Sequence, residues 1–502
     1  MSDHDGQQRG WSTPDTASDS KTGTTVCRYL ASRLPTLKPP MDRMVNPIKA
    51  MRSLNKEQWT FFAVAWCGWV MDSFDFFTVS LTLTNLADTF HKKESDITWG
   101  ISLVLMLRPV GAIFFGAWGD RYGRKWPFIV NNIMFIAFEL GTGFCHTYGQ
   151  FLAIRSMFGI AMGGLYGNAV ATALEDCPDA ARGIMSGLFQ GGYPFGYLLA
   201  TAMARALVDT TSHGWRPLFW FSAGPPVFLI VWRYFLPETQ TFRERQMLRK
   251  STSEASTPGF FAQAGAAIRR YWLVLIYMIV FMAGFSYMSH GSQDMYPTLL
   301  VNQYNFSDDM KTVTQVVANI GAVIGAVVVG NLSEMFGRRL TIIAACAMAG
   351  ALLYPYTFVS TPAIMAAAFF VQFAIQGAFG VVPSHLMELS PPDLRAFVVG
   401  TAYQLGSLAS SPAATIQSEI AEDNFPLSPG PNGRPRYNYA EVICAVLGAA
   451  LGVVIIVTFL GPENKGARFS MAGIQAVAKP GSSPASSGPL DKEKEEEEGG
   501  GA

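Results

Sequence analysis

Runs of twenty or more mostly apolar residues recur along this chain, and no other feature limits the fold as severely. A helix rises about 1.5 Å per residue, so each run can cross the ~30 Å hydrocarbon core of a bilayer. In that core every backbone N–H and C=O must be satisfied within the segment, which makes runs of this length helical. The runs predict spans at 58–86, 97–118, 126–146, 150–174, 184–206, 216–236, 271–300, 311–332, 339–358, 361–387, 396–418 and 439–460. The expected class is an all-α membrane protein of twelve transmembrane helices. Five segments follow: a disordered tail over 1–57, six spans within 58–238, a charged loop over 239–270, six spans within 271–462, and a tail over 463–502 ending in D-K-E-K-E-E-E-E.

Charge supports a membrane reading. Only 15% of residues are charged against 50% hydrophobic, whereas about 25% charged is usual for soluble domains. Lys plus Arg and Asp plus Glu both number 37, so the balance is neutral and no nucleic-acid partner is expected. The six cysteines form no C-x-x-C and fall mostly in apolar runs, so neither disulfides nor a metal site is expected. The polar N-terminus lacks an apolar core and a small-residue cleavage site, so no cleaved signal peptide is expected. No metal-ligand spacing, nucleotide loop or G-x-S-x-G elbow is found, and an enzyme is not expected.

Short-loop cations favour one side of the spans: Arg121, Arg124, Lys125, Arg182, Arg243–Lys250, Arg338, Arg339, Arg395, Lys465 and Arg468. The other side carries mainly Lys92, Lys93, Arg434 and Arg436. The positive-inside bias then puts both termini in the cytoplasm. The halves also repeat with a shift of 214 residues. G-A-W-G-D-R-Y-G-R-K (Gly116–Lys125) overlies G-N-L-S-E-M-F-G-R-R (Gly330–Arg339), and Gln190 falls on Gln404. Parallel six-helix repeats imply a binding site between two bundles near mid-membrane.

The loop at Gly116–Lys125 resembles the G-x-x-x-D-R-x-G-R-K motif of the major facilitator superfamily, and its second copy has Met335 where the family often has Arg. The resemblance spans all but the tails. It implies a gating role for Asp120, Arg121 and Arg124, and for Glu334 and Arg338 in the second copy. Asp120 and Arg124 would reach neighbouring helix ends and latch one conformation. A second motif, S-H-G-S-Q-D-M-Y-P-T at Ser289–Thr298, is similar to N-x-x-[ST]-H-x-[ST]-Q-D-x-x-x-T of fungal lactate/pyruvate–proton symporters in the sialate–proton symporter branch. There the His and Asp are implicated in transport and proton coupling, which points to His290 and Asp294. Ser286 stands where the motif begins with Asn. W-x-x-D-x-x-D-F-F at Trp69–Phe77 is similar to the same branch.

The residues support a related reading by themselves. Ionisable groups at membrane depth are costly and mark a pathway, a relay or a ligand. His290 and Asp294, four apart, share a helix face, and an imidazole titrates near neutrality; their alternative role is to anchor a bend near Gly291 and Pro297. Arg108 lies about 16 Å along its span. Its planar fork suits a substrate carboxylate, or alternatively a standing pair with Asp72 or Asp75, which also count as proton-coupling candidates. Glu139 and Arg155 read as a structural ion pair between adjacent spans. Phe189 and Gln190 in the fifth span, Gln404 and Ser407 in the eleventh, and Gln293 are candidates for substrate contact. In the branch that this chain resembles, positions around such a Gln set specificity. The amides Asn168, Asn319, Gln372 and Gln376 suit helix joining as well as substrate. His385 and Glu388 fall at the end of the tenth span and read as gate residues.

The expected function is proton-coupled symport of short-chain monocarboxylates (lactate and pyruvate, with acetate a further candidate) across the plasma membrane by alternating access. The partners are an organic-acid anion, a co-transported proton and the bilayer, with no other cofactor. Symport of dicarboxylates such as succinate or malate, symport of sugar acids of sialate type, and nutrient sensing without transport are the alternatives. The oligomeric state is left open.

Overall fold

The structure, a computed structural model, describes residues 32–33, 35–37, 46–92, 94–208, 210–251, 260–391, 394–429 and 436–466. Most of both predicted tails and part of the predicted loop lie outside these residues, as do Lys93, Arg434 and Arg468.

The first predicted span folds as α1 (Lys56–Leu81), followed by α2 (Leu83–Phe90). Then come α3 (Glu94–Tyr122), α4 (Lys125–Gly143), α5 (Tyr148–Gly163), α6 (Leu165–Leu174) and α7 (Arg182–Leu207). A broken pair, α8 (Arg216–Ser222) and α9 (Gly224–Phe235), leads to α10 (Gln240–Ser251). The second half has α11 (Phe260–Gln293), α12 (Asp308–Phe336), α13 (Arg338–Ala351), α14 (Leu353–Phe358), α15 (Ile364–Leu389), α16 (Arg395–Ser410), α17 (Ala413–Asn424) and α18 (Tyr439–Leu460). A two-residue antiparallel pairing of Pro426–Leu427 with Arg436–Tyr437 precedes α18.

Six helical stretches among the described residues are long and apolar enough to cross a membrane: Trp99–Tyr122, Tyr148–Leu174, Ile268–Gln303, Asp309–Phe336, Ile364–Leu389 and Tyr439–Leu460. The other six predicted spans are helical but fall short of that standard. Four have a break in the helix, at Thr82, at Ala223, at Leu352 and at Ser411–Pro412, as the qualifying stretch Tyr148–Leu174 also has at Gly164. The Thr82 hydroxyl donates back to the Thr78 carbonyl at 2.7 Å, alongside the Thr82 backbone N–H at 3.2 Å. α4 and α7 are continuous, and their apolar runs are diluted by polar residues: Asn131, Asn132 and Glu139 in one, Arg182, Gln190 and Arg205 in the other.

The repeat reappears in the backbone. Gly123 and Gly337, one shift apart, both have positive φ, at 108° and 85°. That conformation is open to glycine without a Cβ penalty, and it turns the chain sharply from α3 into α4 and from α12 into α13. Across the seam between the halves, α7 packs on α12 and α3 on α16. The approach is close because glycine permits it: a Cβ on Gly187 would lie 2.3 Å from the Ala326 carbonyl oxygen. Small residues bring helix backbones together in this way where no hydrophobic drive between helices exists.

Candidate functional site

A cavity opens at this seam. It is lined by Arg108 from α3, Gln190 and Tyr193 from α7, Ser286, Ser289 and His290 from α11, Gln376 and Phe379 from α15, and Tyr403 and Ser407 from α16. Both halves therefore contribute. Its open volume is about 330 Å³, including the part that meets solvent.

Arg108 is 3% exposed. Its Nη2 rests on the Met162 sulfur, its Cζ lies 5.0 Å from the Phe76 ring centre, and its Nε is buried without a partner. Asp72 is within electrostatic reach, yet no ion pair joins Arg108 to Asp72, Asp75 or any other described residue. The standing pair allowed by the sequence is therefore absent. Asp72 Oδ1 and both oxygens of Asp75 are buried and unpartnered. A buried guanidinium with no carboxylate partner is costly, so the cavity beside it suits an anion.

His290 Nδ1 lies 3.0 Å from Asp294 Oδ2, with side-chain exposures of 13% and 28%. The imidazole and Arg108 both meet one residue that the sequence did not single out. Phe76 is 6.4 Å from the His290 ring, edge to face, and also stands under the guanidinium. It belongs to the W-x-x-D-x-x-D-F-F stretch, which was the available signal.

Aromatic rings floor the cavity. Tyr403 stacks on Tyr166 across the seam at 3.8 Å, and Trp69 packs on Tyr166 at 4.9 Å and on Phe189 at 5.9 Å. Phe189 thus supports the floor and is fully buried, outside the cavity lining. Gln404 is also buried outside the lining, with its Oε1 unpartnered; Gln190 and Ser407 face the cavity. Gln293 points elsewhere, into a neighbouring chamber, and donates to Gln372 Oε1 at 3.1 Å.

Below the floor, at the end carrying the basic loops, the halves are latched. Asp120 accepts from the backbone N–H of Ala396 at 3.3 Å and of Phe397 at 2.8 Å, and pairs with Arg124 at 2.6 Å. A carboxylate at a helix N-terminus answers both the free N–H groups and the helix dipole. Arg124 continues to Glu175 at 3.2 Å. In the second half Arg338 pairs with Glu334 at 2.7 Å and Glu388 at 2.9 Å, and Arg182 reaches Glu388 across the seam at 3.7 Å. Arg121 is exposed and lies over the Tyr122 ring. His385 is fully buried, and both its ring nitrogens lack partners. Glu139 and Arg155 form a buried pair at 2.9 Å.

Two carboxylates to which the sequence reading gave no role hold the glycine turns. Glu238 accepts from the backbone N–H of Arg124 and Lys125 at 2.9 and 2.8 Å, and Glu463 from those of Arg338 and Arg339 at 3.1 and 2.9 Å. Each caps the helix that follows its half's glycine turn. Burial pushes the Glu463 carboxyl above the usual range, against the pull of those two N–H groups. The signal was a Pro-Glu dipeptide after the last span of each half, Pro237-Glu238 and Pro462-Glu463.

The Major Facilitator Superfamily model matches residues 65–414. The chain is 39% identical over 435 residues to a carboxylic acid transporter protein homolog of Saccharomyces cerevisiae, covering 84% of this chain and 70% of that one. It is 25% identical to the sialic acid transporter NanX of Escherichia coli, over 71% of this chain and 86% of the relative. Among solved structures, the proton:xylose symporter XylE superimposes with a TM-score of 0.62 at 18% identity, covering 83% of this chain and 98% of that one, which speaks to the fold alone. With the family model, the yeast relative and the shared fold in agreement, this chain belongs to the major facilitator superfamily of multi-pass membrane transporters.

Proposed function

We propose that the chain is a proton-coupled symporter of short-chain monocarboxylates, such as lactate and pyruvate, working by alternating access across the plasma membrane. The observation that carries this reading is Arg108: a buried guanidinium with no carboxylate partner, at the wall of a cavity that His290 also lines. The names of the relatives, carriers of carboxylic and sialic acids, fit an anionic cargo.

In this reading Arg108 takes the carboxylate through its planar fork. The arriving negative charge favours a proton on the His290–Asp294 pair, and the proton in turn favours the anion, because coupling between sites is reciprocal. Asp72 and Asp75, whose buried oxygens lack partners, offer further resting places for the proton. The proton also offsets the cost of bringing an anion into a negative cell. The twelve predicted spans form two bundles, over 58–238 and 271–462, and the basic loops and both tails face the cytoplasm. The described state is then shut on the cytoplasmic side by Asp120 and by Arg182–Glu388, while His290 and Asp294 keep access from outside.

Uptake of labelled lactate across an imposed pH gradient, with an uncoupler control, tests the proposal. Arg108→Ala should abolish uptake while the protein still reaches the membrane. Wild-type uptake in that variant removes Arg108 from the site, and flux indifferent to the pH gradient removes proton coupling. Reconstituted vesicles containing the full chain distinguish transport from sensing, since a sensor binds without flux.

A further inference from the structure

The neighbouring chamber that receives Gln293 has an open volume of about 230 Å³, including its solvent-facing part. Its position follows from helix geometry. Three helices line both spaces, and on each the lining residues step by one turn: Tyr193 to Tyr197 on α7, Ser289 to Ser292 on α11, Gln376 to Gln372 on α15. α7 and α11 run away from the basic end and α15 runs toward it, so all three steps lead away from the latch. At 1.5 Å per residue the chamber sits about 4.5–6 Å beyond the Arg108 cavity along the helix axes.

The chemistry of the two spaces differs. The Arg108 cavity holds a guanidinium and an imidazole. The chamber presents amides and hydroxyls, with no ionisable side chain except tyrosine. Most of its amides are already engaged: Gln372 donates to Ser292 Oγ at 3.2 Å and accepts from Gln293, and Asn319 donates to the Gln315 carbonyl at 3.0 Å. Gln315 Nε2 is the exception, buried against the chamber with nothing to donate to. An unmet donor of this kind is costly unless something fills the space.

We propose that this chamber is a second subsite, which takes the uncharged polar end of a carboxylic acid whose carboxylate sits at Arg108. This rests on the carboxylate reading of Arg108 given above. The spacing suits a chain of about four to six carbons. A second carboxylate would be stranded among neutral amides, so a dicarboxylic acid enters as its monoanion, with the protonated carboxyl accepting from Gln315 Nε2. No second cation is then required for such acids.

The test is Gln315→Leu in the full chain, with labelled succinate and labelled lactate as probes in uptake and in binding to the purified protein. Loss of one hydrogen bond to a buried ligand group should weaken succinate about tenfold and leave lactate within about twofold, so lactate also reports on folding. The ratio of wild-type succinate affinity, expressed per monoanion, to lactate affinity should stay constant between acidic and neutral pH, because proton coupling at His290–Asp294 moves both acids alike. Equal weakening of both acids, no weakening of either, absence of succinate binding to the wild type, or affinity that follows the dianion overturns the subsite. Wild-type lactate uptake by Arg108→Ala sinks the parent reading instead, and the succinate-to-lactate ratio in Gln315→Leu still reports on the chamber.

Discussion

Replacing Asp120 by Asn should unlatch the basic end. The Asp120 carboxylate receives two backbone N–H groups from the start of α16 and faces Arg124 at 2.6 Å, all of it buried. Hydrogen bonds to a charged partner contribute about 1.5–3 kcal/mol each, and a carboxylate at a helix N-terminus up to about 2. The Asn amide keeps one acceptor and puts its NH2 against donors. A loss of about 2–4 kcal/mol follows, confined to the state in which the halves meet at this end. By population-shift arithmetic the state open at that end gains roughly 30- to 900-fold. Cys177 reports the opening. It is 6% exposed, beside the seam and within electrostatic reach of Glu334 in the other half, and burial pushes its thiol up to about 12. Since the thiolate is the reactive form, opening raises both access and reactivity. With the other cysteines replaced, an impermeant maleimide applied to the face carrying the basic loops should modify Cys177 at least about tenfold faster in Asp120→Asn, with faster modification at higher pH in both proteins. Equal rates in variant and parent, with the fold intact, would refute the latch.

Phe76→Leu removes the ring that both guanidinium and imidazole contact. A cation–π contact of about 0.5–2 kcal/mol is lost, and the KM for lactate should rise about 2- to 30-fold in uptake assays. Glu463→Ala strips two acceptor contacts from the start of α13; thermal unfolding of the purified protein should show a loss of about 1–3 kcal/mol, and Glu463→Gln should recover part of it. Arg155→Met strands Glu139 and should cost about 3–5 kcal/mol, visible as loss of protein from the membrane. The double change with Glu139→Leu should restore it, and failure to do so would argue for a role beyond structure.

The framework was legible because it depends on long-range sums. Apolar runs announce helices however their side chains pack, and the paired loops at Gly123 and Gly337 carry their own backbone geometry. The motif also picked out His290 and Asp294, which do meet. Rotation about a helix axis was harder to read. Phe189 precedes Gln190, yet only Gln190 faces the cavity. Depth along the axis was a second difficulty: Gln293 follows His290 by three residues, and that turn carries it about 4.5 Å further, into the next chamber. Single-residue breaks such as that at Thr82 leave the apolar run intact, and apolar periodicity does not register them. Partners distant in sequence, such as Asp120 with Phe397, required the fold itself.

The two Pro-Glu caps have a mechanical consequence. Glu238 binds its own half's turn and Glu463 its own, so neither carboxylate spans the divide. Each corner therefore travels as a stiff bracket when the halves tilt. Resistance to tilting lies instead in the links that do cross, among them Asp120 to α16, Arg182 to Glu388 and Ser186 to Gly380 and Ser384, and a chain braced in this way can swing between two shapes without softening either half.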